Sequence, residues 1–140
     1  MLLIVVINCL LIGMVVMFHY EALRYTSKFM PRLHLKYRLR IVLGVAIALV
    51  AHCVEIWLFA LAYYLLPAYL GWGQLLGAID GSLLDCVYFS FTVFTTVGFG
   101  DILPSGDIRY LVGLESLTGL VLITWTASFL FVEMQRYWNE

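Results

Sequence analysis

Three long apolar runs, residues 2–18, 41–66 and 107–132, constrain this chain more than any other feature. Each is long enough to cross the hydrocarbon of a bilayer as a helix. With 64% hydrophobic and 12% charged residues, and a mean hydropathy of +0.98, the chain is read as a membrane protein of the all-α class. A net charge of −1 gives no footing for nucleic acid. The first run carries Asn8 as its one strongly polar break and lacks the positive leader and small-residue cleavage site of a signal peptide, so it is read as a retained span. Asn8 is placed near the outer interface in preference to a bond with a neighbouring helix. Cys9, Cys53 and Cys86 all fall in apolar segments and read as small buried apolar residues in preference to redox sensors, with no disulfide implied.

The basic residues set an orientation. Six of the eight Lys and Arg, namely Arg24, Lys28, Arg32, Lys36, Arg38 and Arg40, lie between the first two runs. Basic loops stay in the cytoplasm. The amino terminus is therefore expected outside, the linker inside, and the carboxyl terminus in the cytoplasm, with Arg136, Tyr137 and Trp138 as the inner interfacial anchor. Pro31 should break the linker. Residues 33–40 alternate apolar and basic side chains, which suits an orientation signal more than a helix lying on anionic lipid. The second run, at about 39 Å as a helix, exceeds the hydrocarbon thickness and is expected to end at Pro67. His52 and Glu55, three apart on one face of it, form either a packing pair or a proton-sensing one.

Between the second and third runs the pattern changes. Residues 67–81, with Tyr69 and Trp72, read as an outer loop. Ser82 and Asp85 make a capping box and start a helix too short to cross a membrane, tolerable at that depth only if buried in protein. Its carboxyl end leads into Thr95-Thr96-Val97-Gly98-Phe99-Gly100-Asp101. A dehydrated cation needs oxygens in place of water, and a backbone supplies them densely only when successive carbonyls point one way. That requires left-handed dihedrals, which Gly98 and Gly100 adopt at little cost. Thr96, Val97, Gly98 and Phe99 would offer four stacked carbonyls over roughly 12 Å. The Thr96 hydroxyl adds one more oxygen.

Thr96 to Asp101 resembles the signature filter of tetrameric potassium channels. The resemblance implies a pore domain over 41–140, with outer helix 41–66, pore helix 83–95, filter 96–101 and inner helix 108–134, preceded by an extra transmembrane helix over 1–20 and a basic cytoplasmic linker over 21–40. It implies a homotetramer in the lipid bilayer of the cell membrane that passes K+ passively, with K+ held at Thr96, Val97, Gly98 and Phe99, Gly100 completing the filter, and no other cofactor. The usual filter has Tyr where this chain has Phe99, which removes a phenol hydrogen bond expected at Tyr88 or Phe89. Asp101, with Asp80, Asp85 and Asp107, is expected to make an acidic outer mouth. Asp107 is also expected to cap the third span.

On the third span, helical spacing puts Val121, Thr124, Ser128 and Val132 on one face, the expected cavity lining. Gly119 stands near the family's hinge, where a packing glycine is an equal expectation. Glu115 is expected to brace the short helix through Thr92 or Thr95, or to meet Glu55 or His52, with proton-dependent gating as a consequence. No basic residue in the first span could move in a membrane field, and the chain stops at Glu140, so neither voltage sensing nor a soluble ligand-binding domain is expected. The first helix either packs against lipid or docks a regulator. A nonselective cation channel and a non-conducting scaffold subunit are the alternatives. No nucleophile, base and oxyanion donor converge, and His19, His34 and His52 show no metal-ligand spacing, so no enzyme is expected.

Overall fold

A computed structural model of the chain describes residues 2–33 and 36–138. Four helices and a two-stranded pair follow in order: α1 (Leu2–Phe29), α2 (Tyr37–Leu70), β1 (Gln74–Gly77), α3 (Leu83–Phe94), β2 (Ile102–Ser105) and α4 (Ile108–Trp138). α1, α2 and α4 are each long and apolar enough to cross a membrane.

α1 continues nine residues beyond the end expected at 20, because its inward face does not stop there. Asn8, Val15, His19, Leu23 and Thr26 are all buried at helical spacing, while Glu21 and Arg24 pair on the exposed side at 3.0 Å. The basic residues Arg24 and Lys28 therefore stand on a helix and not in a loop. Asn8 is fully buried, and its side-chain amide makes no hydrogen bond to a neighbouring helix among the described residues. The break comes at Pro31, inside a single 3-10 turn over Met30–Arg32. Residues 37–40 form the first turn of α2. His34 and Leu35 lie outside the described residues, as do the side chains of Tyr37, Tyr137 and Trp138 on which the amphipathic linker and inner anchor depend.

α2 does not stop at Pro67. It runs through to Leu70 and ends at Gly71, whose left-handed φ of 64° returns its amide to the Pro67 carbonyl at 3.2 Å. A proline so close to the end costs the helix one late hydrogen bond and no more of its length. β1 and β2 pair antiparallel, Gln74 with Ser105 through Gly77 with Ile102, an addition to the all-helical architecture that the sequence pattern did not signal. This strap ties the loop before α3 to the segment after the filter stretch. The Ile108 amide closes it by donating to the Trp72 carbonyl at 2.8 Å.

The core lies where α3 enters the angle between α2 and α4. Phe59 and Tyr63 of α2, Phe89 and Phe94 of α3, and Leu111 and Leu122 of α4 are buried together, and Val15 of α1 closes the far side. α3 thus packs one side against α2 and α4 and leaves Leu84, Tyr88 and Phe91 exposed on the other in the single chain.

Candidate functional site

The capping box that starts α3 is formed on both sides. The Asp85 amide donates to Ser82 Oγ at 3.2 Å, and the Asp85 carboxylate accepts from the amides of Ser82 at 3.2 Å and Asp80 at 2.8 Å. The Asp80 amide, first among these donors, holds the Asp85 carboxyl below its ordinary pKa. Its contribution to the cap is therefore present at neutral pH and is lost only as pH falls through that lowered value. Asp85 is engaged as a cap, whereas Asp80, Asp101 and Asp107 are exposed.

At the other end, α3 hands the chain directly to the filter stretch. The Thr96 amide donates to the Val93 carbonyl at 2.9 Å and the Gly98 amide to the Thr92 carbonyl at 3.0 Å, so the first filter residues are pinned to the helix end. Left-handed dihedrals then fall on alternate residues: Thr96 at φ 60°, Gly98 at 52° and Gly100 at 80°. Thr96 is the one non-glycine residue with positive φ among the described residues, a strain of about 1–2 kcal/mol that sequence reasoning gave to the glycines alone. Left-handed residues at alternate positions are the backbone pattern that lets successive carbonyls face one side. Residues 95–101 are all exposed on this face of the single chain.

Tyr88 of α3 meets the far end of this stretch. The Tyr88 hydroxyl donates to Asp101 at 2.8 Å, which raises the Tyr88 pKa, and its ring stacks on Phe99 with centroids 6.4 Å apart and planes 8° apart. Phe99 therefore keeps contact with the pore-helix aromatic through its face, without a phenol. Phe89 turns the other way and meets the Tyr63 ring edge-on at 5.1 Å.

Behind α3 stands α4, and Gly119 is where they touch. A Cβ at that position would lie 2.1 Å from the Phe94 carbonyl oxygen. Of its two sequence readings, close packing is the one with a visible cause. Val121, Thr124, Ser128 and Val132 are all exposed on α4. Thr124 and Ser128 return their hydroxyls to their own helix, Thr124 to the Leu120 carbonyl at 2.9 Å and Ser128 to the Thr124 carbonyl at 3.0 Å.

Glu115 meets neither Thr92 nor Thr95, nor Glu55 or His52. It is fully buried and accepts from the hydroxyls of Tyr63 and Ser90, and Ser90 also reaches the Ile56 carbonyl at 2.9 Å. The brace to α3 is real but runs through Ser90, and the two carboxylates occupy separate pockets. Replacing Glu115 with Ala strands the buried Tyr63 hydroxyl and is expected to cost about 1–3 kcal/mol, read as a lower thermal midpoint. Glu115→Gln, which keeps an acceptor oxygen, should lose less.

The second pocket holds more than the His52 and Glu55 pair. His52 Nδ1 lies 2.8 Å from Glu55 Oε2, as three-residue spacing predicts, and His19 of α1 adds its Nδ1 at 2.7 Å from Glu55 Oε1. Thr126 Oγ1 of α4 faces both Nε2 atoms, at 3.3 Å from His19 and 3.1 Å from His52. Sequence reasoning missed His19, although it falls on the stripe of Asn8 and Val15. Linear spacing also hid that donor atoms of His19, His52 and Glu55 lie within 4.8 Å of one another. The imidazoles stack 5.4 Å apart with planes 28° apart and send their Nδ1 atoms to the two oxygens of the one Glu55 carboxylate.

A family model described as ion channel matches residues 51–136, which contain most of α2, all of α3, the filter stretch and nearly all of α4. The chain belongs to this ion channel family. It is similar to the inward rectifier potassium channel Kirbac3.1 of Paramagnetospirillum magnetotacticum, 35% identical over 71 residues that cover 49% of this chain and 24% of that protein. It is also similar to potassium channel subfamily K member 7 of Mus musculus, 38% identical over 81 residues that cover 54% of this chain and 25% of that protein. The matched part of the channel thus spans about a quarter of the length of these relatives. No solved structure matches the chain. α1 lies ahead of the matched region, as an additional helix packed on the channel module.

Proposed function

We propose that four copies of this channel surround one axis and pass K+ selectively and passively through a ring of carbonyls from Thr96, Val97, Gly98 and Phe99, with Gly100 and Asp101 at the outer mouth. The observation that carries this reading is the alternation of left-handed dihedrals at 96, 98 and 100 on an exposed edge. One chain supplies one wall of such a site, and cyclic symmetry completes it. The potassium-channel relatives support the choice of ion. The α3 carboxyl end, with its partial negative charge, favours a dehydrating cation at the inner end of the filter. The face bearing Val121, Thr124, Ser128 and Val132 lines the water-filled cavity below. The amino terminus lies outside, the α1–α2 connection and the carboxyl terminus in the cytoplasm, following the basic residues.

A carbonyl ring shared among chains makes its ion a ligand of the assembly. K+ is therefore expected to stabilise the detergent-solubilised tetramer against heat by about 2.7 kcal/mol at a hundred times its Kd, with Na+ at the same concentration giving far less. Equal stabilisation by the two ions would favour the nonselective reading. A cross-linked mass other than four chains would remove the assembly.

A further inference from the structure

We propose that His19, Glu55, His52 and Thr126 form a closed hydrogen-bonded ring that binds one proton and, through it, fastens α1 to α2 and α4. The ring has four edges: His19 to Glu55 at 2.7 Å, Glu55 to His52 at 2.8 Å, His52 to Thr126 at 3.1 Å, and Thr126 to His19 at 3.3 Å. Each edge needs one hydrogen. The Thr126 hydroxyl supplies one, and two neutral imidazoles supply one each. The fourth is an extra proton, carried by an imidazole beside an ionised carboxylate or by the carboxyl group itself. Both placements give a net charge of zero, the condition that a site with Glu55 0% and His19 1% exposed imposes. The edges on the carboxylate are the short ones, as charge-assisted bonds are.

Nothing else charged shares the pocket among the described contacts. α1 contributes His19 alone, its Glu21 being turned to Arg24. α2 contributes His52 and Glu55. α3 offers the Phe94 ring against His52, and α4 offers Thr126 with the Trp125 ring against His19. Losing the extra proton leaves one edge without a hydrogen and a buried negative charge, so the docked helix binds a proton that the undocked helix lacks. Docking is therefore expected to loosen as pH rises and the ring loses its extra proton. This inference does not depend on which ion the pore selects.

The test is magnetic resonance of the full chain in lipid nanodiscs, with 15N-labelled histidine and 13C-labelled glutamate, from about pH 5 to about pH 9 where such groups titrate. At neutral pH the two imidazoles and Glu55 should carry three protons between them. Raising the pH should remove one in a single step, together with the hydrogen-exchange protection of the α1 amides. Thr126→Val, which removes two of the four edges, should let the extra proton leave at a lower pH than in the wild type, and Thr126→Ser should restore the wild-type step. An ionised Glu55 between two neutral imidazoles at neutral pH would overturn the proposal in the wild-type protein, whatever the variants do. A titration step that leaves α1 protection unchanged would remove the fastening role.

Discussion

Gly98→Ala is expected to abolish K+-selective current while leaving the helices folded. The cause is dihedral and not steric, since a Cβ at Gly98 would meet nothing within 4 Å in its own chain. What it would meet is the φ of 52°, a left-handed angle that costs a residue with a Cβ about 1–2 kcal/mol. The chain can escape that cost only by rotating the peptide. The rotation breaks the bond from the Gly98 amide to the Thr92 carbonyl, 3.0 Å long, and turns a carbonyl away from its neighbours. Repeated in every chain of the proposed assembly, it would remove an ion site. Gly113→Ala is the matched control, because Gly113 lies inside α4 with nothing within 4 Å and a helical glycine gives way to alanine without loss. Single-channel recording of both variants checks the contrast: current lost in the first and kept in the second.

Gly119→Ala should damage the protein in a different way. Its Cβ would stand 2.1 Å from the Phe94 carbonyl oxygen and 2.9 Å from the carbonyl carbon. Both are backbone atoms at the end of α3, so no side chain can swing aside, and α4 must move away from the helix that carries the filter. Overpacking of this kind costs about 1–3 kcal/mol or more. The expected result is a lower thermal midpoint and a reduced yield of assembled channel. A variant that assembles normally and differs only in open probability would instead make Gly119 the hinge of the sequence reading.

The two glycines also show how far the sequence could be read. Gly98 was legible because its requirement is local: carbonyls that face one way need left-handed residues, and only certain side chains permit them. Thr96 escaped the same reasoning, since a threonine at φ 60° is not what its own propensity favours, and the bonds of Thr96 and Gly98 to the end of α3 impose it. Helices were legible as apolar runs, but their ends were not. α1 runs to Phe29 on a buried stripe that continues beneath charged residues, and α2 passes Pro67 because Gly71, and not the proline, supplies the left-handed stop. The partners of buried polar groups were the least legible. His19 is 36 residues from Glu55, and Glu115 is 52 from Tyr63, separations across which no periodicity carries information. Each of these groups was marked by being ionisable or polar in an apolar run. Which one it would meet depended on helix packing alone.

Selectivity of the proposed ring formed by Thr96 to Gly100 is read most directly from the reversal potential of purified protein in a planar bilayer with K+ on one side and Na+ on the other. A reversal close to the K+ equilibrium potential is predicted. A reversal near zero, in channels that conduct, would contradict it.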